Sequence, residues 1–240
     1  MDDLILKLQN GSKLYGLDHP DSDDDYVGIF VESPDLLFLG GKKQIISLRE
    51  TPDGERNGPG DVDGQAYSVR HFFYLAMGGN PSIITLFFAP KNSIVSSTEL
   101  GQKILDAKEL FISAQLKSPF QGYLKAQLQR LKGHQPNRPE LIEQFGYDTK
   151  YAIQVARLGF QGREILSTGK ITLPMPSVQR NICRNIRDGK YNYHNCLKLL
   201  EYLELSLIEA GKYTTLQPKP NKYAIAELSR EIHEEYWNVH

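Results

Sequence analysis

The stretch that decides the fold is GSKLYGLDHPDSDDDYVGIFV, residues 11–31. It opens with a Gly-Ser pair, crosses a turn that contains Pro20, and then reaches a cluster of aspartates: Asp18, Asp21, Asp23, Asp24 and Asp25. The apolar run Val27–Val31 follows directly, and its short, β-branched and aromatic pattern predicts a buried strand. Because like charges a few ångströms apart repel one another, carboxylates clustered at the start of such a strand indicate a bound counter-charge. Oxygen-rich clusters suit Mg²⁺, Mn²⁺ or Ca²⁺.

The spacing of the aspartates predicts which of them act together. Side chains alternate faces along a strand, so Asp23 and Asp25 are expected to point one way and Asp24 the other. A pair of carboxylates on one face can hold two metal ions, which is the geometry of in-line phosphoryl or nucleotidyl transfer. Upstream, Gly11 lets the backbone approach closely, and backbone N–H groups with the Ser12 hydroxyl are candidates to hold phosphate oxygens.

These residues carry a family resemblance. The pattern GSxxYGxxxxxSDxDxxGI, which starts at Gly11, resembles the active-site motif of the DNA polymerase beta superfamily of nucleotidyltransferases, and is similar to its RNA-repair-pathway branch. Two later segments resemble the same branch: SVRHFFYLAMGGNPSIITLFF at residues 68–88, preceded by Asp63, and GYDTKYAIQVARLGFQGREIL at 146–166. The sequence departs from the family pattern at Asp24, where an apolar residue is usual.

The resemblance implies a catalytic set of Asp23, Asp25 and Asp63, with two Mg²⁺ or Mn²⁺ ions as cofactors and a nucleoside triphosphate such as ATP as substrate. Asp63 would bind the catalytic metal and take the proton from the attacking hydroxyl. Asp61 lies two residues earlier and on the same face of a strand, so it stays open as the third carboxylate. The strand-then-helix pattern after Asp63 favours Asp63.

Cationic residues in the second half of the chain are candidates for phosphate contact. Lys150 and Arg157 are seven residues apart and share one face of a predicted helix, where they could meet the nucleotide phosphates. A second set aligns on another helix and could follow a nucleic-acid acceptor: Arg180, Arg184 and Arg187. Solvated helix faces are the alternative interpretation for both sets.

The composition of the chain limits the classes of protein to which it can belong. The chain has 240 residues, a formal net charge of −1, 24% charged and 40% hydrophobic residues, which is typical of a soluble globular protein. Such a charge argues against general electrostatic affinity for nucleic acid but allows local patches. Cys183 and Cys196 lack metal-type pairing, and no apolar run approaches a membrane span, so a cytoplasmic protein without a membrane partner is expected.

Periodicity predicts an α/β (α+β) nucleotidyltransferase-like domain with a small mixed sheet over residues 1–97, and a helical domain over 98–240 that closes over nucleotide and acceptor. In the first half we expect a strand or short helix at Leu4–Leu8, a helix at Ser12–Tyr15 and a helix at Val69–Met77. Gln44–Leu48 is predicted to be a strand neighbouring Val27–Val31, and residues 49–64 a loop. Helices are predicted near 98–114, 118–133, 140–168, 177–188, 193–211 and 222–237.

The sequence therefore predicts an enzyme that moves a nucleoside monophosphate from a triphosphate to an acceptor hydroxyl and releases pyrophosphate. The resemblance favours an RNA end as acceptor. A protein hydroxyl stays open, as does a non-catalytic module that binds nucleotide or a protein partner. Two further alternatives are a solvated acidic turn and a calcium loop over Asp21–Glu32, although Tyr26 stands where a calcium loop requires Gly.

Overall fold

A computed structural model describes residues 4–20, 22–39, 44–48, 62–133 and 138–239. These divide into two compact units. The first comprises Met1–Gly78, Ser82–Phe111 and Pro220–His240, and the second Gly79–Pro81 and Ile112–Lys219. This division differs from the predicted boundary at residue 97, because the first unit extends to Phe111 and the chain returns to it for its last helix.

A five-stranded mixed sheet forms the centre of the first unit. Its strands are β1 (Leu4–Gln9), β2 (Asp24–Phe30), β3 (Ile45–Ser47), β4 (Val62–Ser68) and β5 (Ile94–Ser97), in the spatial order β3-β4-β2-β1-β5. β2 and β4 are parallel, and every other neighbouring pair is antiparallel. The predicted fold class, a small mixed sheet with helices followed by a helical part, is confirmed.

The helices, numbered in chain order, are α1 (Gly11–Tyr15), α2 (Pro34–Phe38), α3 (Val69–Met77), α4 (Pro81–Leu86), α5 (Glu99–Asp106), α6 (Lys117–Lys132), α7 (Pro139–Phe145), α8 (Thr149–Thr168), α9 (Ser177–Arg187), α10 (Tyr193–Ala210) and α11 (Lys222–Val239). Short 3-10 turns occur at Lys91–Ser93, Ala107–Leu110 and Ala114–Leu116. None of the described helices combines the length and hydropathy needed to cross a membrane.

The predicted position of β3 was wrong. β3 pairs with β4, with Ile45 opposite Tyr67, and it does not touch β2. The edge of β2 that β3 was expected to occupy is taken by β4, whose residues pair with β2 from Asp24 to Phe30. Residues 49–61 of the predicted loop 49–64 lie outside the described residues, and the prediction was wrong for residues 62–64, which belong to β4.

The last helix, α11, belongs to the first unit because its buried residues pack there. Ile232 is fully buried, and the Nε2 atom of His233 lies 3.1 Å from Oε2 of the buried Glu32, which follows β2. The indole N–H of Trp237 donates to the backbone carbonyl of Glu32 at 2.9 Å. Two side chains of α11 therefore hold the segment that leaves the sheet.

The second unit is a helical bundle in which α6, α8 and α10 pack against one another. One face of α10 carries the buried leucines Leu200, Leu203 and Leu207, and α8 packs against α10. The approach is close at Gly159 of α8, where a Cβ atom would lie 2.7 Å from the Cβ of Leu203. Only a residue without a side chain fits there without displacing its neighbour.

Two predicted helices are shorter than expected. The segment 140–168 is two helices, since Gly146 ends α7 with a φ of 80° and Asp148 caps α8 by accepting from the N–H groups of Lys150 and Tyr151. The segment 98–114 forms α5 only to Asp106 and continues as a 3-10 turn. The first difference arises at helix ends set by a glycine and a capping side chain, whereas α5 ends at Asp106 with neither and continues directly into the 3-10 turn.

Candidate active site

Aspartates from two strands meet at one edge of the sheet. β2 and β4 run parallel, and their register places Asp25 opposite Asp63. Neighbouring strands lie about 4.8 Å apart, and residues opposite one another in a parallel pair share a face. Asp23 immediately precedes β2. The other candidate for the third carboxylate, Asp61, lies outside the described residues.

The Gly-Ser turn packs against Asp25. The backbone N–H of Asn10 donates to the carbonyl of Asp25 at 2.7 Å, and Nε2 of Gln9 donates to the same carbonyl at 3.1 Å. Gly11, the first residue of α1, has a φ of 61°, and a Cβ atom there would lie 1.7 Å from Oδ2 of Asp25. The close approach of the backbone that was predicted at Gly11 is observed, and the group that it approaches is the Asp25 carboxylate. Ser12, half-buried, is the next residue of α1.

The electrostatics of this edge disfavour ionisation of Asp25. Burial raises the pKa of Asp25, and the negative charges of Asp23, Asp63 and Asp24 raise it further, while Lys13 acts in the opposite direction. The three neighbouring carboxylates are therefore close enough to act on that of Asp25. Removing that repulsion requires a proton or a cation.

Asp24 is held differently from its neighbours. Its Oδ1 atom lies 2.5 Å from Nζ of Lys13, on α1. This pair explains how the chain accommodates a charge where the family pattern has an apolar residue. Sequence reasoning missed Lys13, because nothing in a spacing of eleven residues between a helix and a strand indicates a salt bridge.

The donor set fits a hard divalent cation, since carboxylate oxygens are the ligands that Mg²⁺ and Mn²⁺ prefer. One oxygen of Asp63, Oδ1, already accepts from the backbone N–H of Gly64 at 2.8 Å. As the side chains are placed, no group of three or more His, Cys, Asp or Glu residues in the described ranges is arranged to hold a metal ion. The carboxylates are thus gathered at one edge but are not in a closed ligand geometry.

The cationic candidates lie in the second unit. Lys150 is exposed in the first turn of α8, whose N-terminal N–H groups are already capped by Asp148. Arg157 is 7% exposed, so it does not lie on a solvated face. Its guanidinium donates to Oε1 of Gln154 at 2.8 Å and to Oε1 of Gln161 at 3.1 Å.

The three arginines of α9 differ in exposure. Arg184 is exposed, whereas Arg180 and Arg187 are half-buried. The Nε atom of Arg180 is buried without a hydrogen-bond partner among the described residues. Burial raises the pKa of the nearby Cys183 thiol to about 12, although Arg157 and Arg187 lower it. Two of the candidate acceptor contacts are therefore partly enclosed by the bundle.

A mixed sheet that carries aspartates at the starts of two adjacent parallel strands, with a Gly-Ser turn against one of them, defines a nucleotidyltransferase-like domain of the DNA polymerase beta superfamily. The model of the RNA repair pathway DNA polymerase beta family matches residues 3–204. The match spans most of the chain, and the chain belongs to that family. The resemblance drawn from the motifs is confirmed.

Individual relatives are more distant. The uncharacterized 38.9 kDa protein in the nrdC-mobD intergenic region of Enterobacteria phage T4 is 30% identical over 125 residues, which are 51% of this chain and 37% of that protein. The chain thus spans little more than a third of that relative. A crystal structure of a nucleotidyltransferase-like protein from Exiguobacterium sibiricum 255-15 aligns over 88% of this chain and 68% of its own, with 10% identity and a TM-score of 0.31.

Proposed function

We propose that this protein is a metal-dependent nucleotidyltransferase that moves a nucleoside monophosphate from a nucleoside triphosphate to an acceptor hydroxyl, with an RNA end as the favoured acceptor. The observation that carries the proposal is the register of Asp25 opposite Asp63, with Gly11 packed against the Asp25 carboxylate. Membership of an RNA repair pathway family supports the choice of acceptor.

In this proposal Asp23, Asp25 and Asp63 hold two Mg²⁺ or Mn²⁺ ions. When bound, such ions supply charge neutralisation for the triphosphate and for the attacking oxygen. Asp63 takes the proton of the acceptor hydroxyl, whose oxygen forms a bond to the α-phosphorus. The bond from that phosphorus to the bridging oxygen breaks, and pyrophosphate leaves. Ser12 and the backbone at Gly11 position phosphate oxygens.

Lys150 and Arg157 are proposed to contact the phosphates of the nucleotide, and Arg180, Arg184 and Arg187 the acceptor. The burial of Arg157 supports a fixed guanidinium rather than a mobile surface charge. The free, buried thiols of Cys183 and Cys196 support a cytoplasmic location, which is also proposed.

The salt bridge between Asp24 and Lys13 bears on the non-catalytic alternative. That alternative rested on the departure from the family pattern at Asp24. Since Lys13 compensates this charge at 2.5 Å, the departure leaves Asp23, Asp25 and Asp63 available. The observation favours an active enzyme.

Pyrophosphate release tests the proposal. Each of the four nucleoside triphosphates is offered with Mg²⁺ or Mn²⁺, first with mixed single-stranded RNA and then with whole-cell protein, and the labelled acceptor is identified. Asp25→Asn should abolish turnover, whereas Asp35→Asn, which changes an exposed aspartate of α2, should leave it unchanged. Turnover without divalent metal, or full turnover of Asp25→Asn, would refute the metal-dependent mechanism. Labelled polypeptide without labelled RNA would replace the RNA acceptor with a protein.

A further inference from the structure

Three aromatic side chains of the first unit form a ladder of near-parallel rings. The rings of Tyr67 and His71 have centroids 6.0 Å apart and planes inclined by 18°, and those of His71 and Tyr74 are 6.3 Å apart and inclined by 20°. At these distances near-parallel rings are offset, so part of each face stays uncovered. We call Tyr67, His71 and Tyr74 the ring ladder.

The ring ladder is not part of the hydrophobic core. The core-facing residues of α3 are Val69, Phe72, Phe73 and Ala76, which are buried. Tyr74 is 67% exposed, and Tyr67 and His71 are half-buried. Large aromatic rings are normally buried for stability, so a parallel, accessible set indicates a binding surface.

The ring ladder begins on the face of the sheet that carries the carboxylates. Asp63, Gln65 and Tyr67 alternate with inward residues along β4 and therefore share one face, and Asp25 shares it through the strand register. Gln65 accepts from the hydroxyl of Tyr67 at 2.9 Å, which fixes the first ring. Tyr67 lies four residue steps along the strand from Asp63, or about 13 Å, the length of about four stacked nucleotides.

The geometry points to single-stranded nucleic acid. Every nucleobase has a flat face that stacks on aromatic side chains, including Tyr and His, and such stacking tolerates any base. Paired bases in a duplex do not expose these faces, so the strand must be single. Within the ring ladder, Tyr74 and His71 present ring faces and no cationic fork, which suits bases rather than phosphates.

We propose that the ring ladder is a base-stacking platform that holds the last nucleotides of a single-stranded RNA acceptor, so that its terminal hydroxyl reaches Asp25 and Asp63. The proposal rests on the proposed nucleotidyl transfer and names its acceptor class. Tyr67, His71 and Tyr74 are positioning residues, since none of them is assigned a role at the reacting atoms.

The direct test measures the binding of a 5′-labelled single-stranded RNA of about twelve nucleotides by fluorescence anisotropy, with Mg²⁺ present and no nucleotide added. Tyr74→Ala and His71→Ala should each raise Kd about 5- to 100-fold, since stacking of one base on a ring carries an effect of that size. Tyr74→Phe, which keeps the ring, should stay within about twofold of the unchanged protein. Tyr223→Ala removes a ring that is 90% exposed on α11 and serves as the matched control, with no change expected.

Two readouts separate stacking from a general loss of affinity. The slope of log Kd against log salt should be the same for Tyr74→Ala and the unchanged protein, because a ring neutralises no phosphate. An RNA whose last four nucleotides lack bases should bind at least as weakly as either single-ring variant binds normal RNA, and the variants should not weaken it further. Equal binding of abasic and normal RNA, or normal binding by Tyr74→Ala and His71→Ala, would overturn the platform.

The outcome is distinguishable from failure of the proposed function. Asp25→Asn should bind the RNA without transferring a nucleotide. Ring-dependent binding with no transfer by the unchanged protein would leave the platform standing and remove the enzyme. If the ring variants transfer nucleotides to RNA as well as the unchanged protein does, the platform is overturned and the enzyme stands. If the protein transfers nucleotides to polypeptide and binds no RNA, the platform is overturned but the protein is still a nucleotidyltransferase.

Discussion

Replacing Gly11 by alanine should disrupt the candidate active site through one steric contact. The new Cβ atom would lie 1.7 Å from Oδ2, 2.6 Å from Cγ and 2.9 Å from Cβ of Asp25. To reach an ordinary contact of 3.4 Å, the carboxylate oxygen must retreat by about 1.7 Å. The backbone of Asp25 cannot follow easily, because Asn10 and Gln9 both donate to its carbonyl.

The magnitude has a backbone part and a side-chain part. A residue other than Gly at a φ of 61° costs about 1–2 kcal/mol, and forcing Asp25 from its rotamer costs about 0.5–1.5 kcal/mol more. The free energy of unfolding should therefore fall by about 1.5–3.5 kcal/mol, which lowers the melting temperature by about 3–14 °C for a chain of this size. A displacement of this length should reduce turnover by about 100-fold or more.

Thermal unfolding of metal-free protein and pyrophosphate release measure the two effects separately. Gly122→Ala is the matched control, since nothing lies within 4 Å of a Cβ atom at that position of α6, and it should stabilise by about 0.5–1 kcal/mol. In an Asp25→Ala background, which removes the carboxylate but keeps the Cβ atom at 2.9 Å, Gly11→Ala should no longer cost the rotamer part, while the backbone part of about 1–2 kcal/mol and the contact between the two Cβ atoms remain. An undiminished cost in that background, or unchanged stability of Gly11→Ala alone, would refute the steric argument.

Three further predictions concern stability. Asp25→Asn should raise the melting temperature of the metal-free protein at pH 7, because a raised pKa means that ionised Asp25 opposes folding. The gain should vanish below pH 3.8, where the carboxyl is protonated in the folded and unfolded states alike. A gain that persists at that pH would contradict the prediction. His233→Ala should cost about 1.5–3 kcal/mol in urea unfolding at pH 7, because the buried carboxylate of Glu32 loses its hydrogen bond to His233 and keeps Ser68 and, at 3.7 Å, Arg70. Burial opposes the ionisation of Glu32, but the hydrogen bond to His233 helps to lower its pKa. The loss of unfolding free energy in His233→Ala should therefore shrink as the pH falls below 4.5. A loss that does not depend on pH would rule out the pairing of Glu32 with His233 as its cause. Gly159→Ala should destabilise by about 1–3 kcal/mol through contact with Leu203, opposite in sign to Gly122→Ala, and urea unfolding that shows a gain would contradict the packing.

The parts of the fold that could be predicted are those set by neighbouring residues. The presence of β2 follows from the apolar run that begins at Val27, although the strand itself begins three residues earlier, at Asp24. Helix α3 follows from apolar residues at helical spacing before a Gly-Gly-Asn-Pro turn. The helix break at Gly146 was not predicted, because helical spacing of apolar residues continues on both sides of it. The neighbour of β3 was also out of reach, since strand pairing depends on contacts that no local pattern encodes.

The same distinction applies to the candidate site. The Gly-Ser pair and the alternating aspartates lie within one short stretch, so their chemistry could be inferred from spacing. The pairing of Glu32 with His233 joins residues 201 positions apart, and a buried carboxylate cannot be recognised before its partner is known. The ring ladder is intermediate: His71 and Tyr74 are three residues apart on one helix, but their alignment with Tyr67 depends on how β4 turns into α3.

The contrast between neighbouring aspartates is the strongest argument that this edge of the sheet exists for binding. Asp24 has a lysine at 2.5 Å, and Glu32, a few residues further on, has a histidine at 3.1 Å. Burial and then the charges of the neighbouring carboxylates raise the pKa of Asp25, against the smaller opposing effect of Lys13, and two hydrogen bonds to its carbonyl fix its backbone in that position. Asp24 and Glu32 are thus paired with basic side chains, whereas the like charges around Asp25 lower the stability of the folded chain and contribute nothing to its packing. A bound cation would turn that repulsion into attraction, so the addition of Mg²⁺ or Mn²⁺ should raise the melting temperature of the unchanged protein more than that of Asp25→Asn.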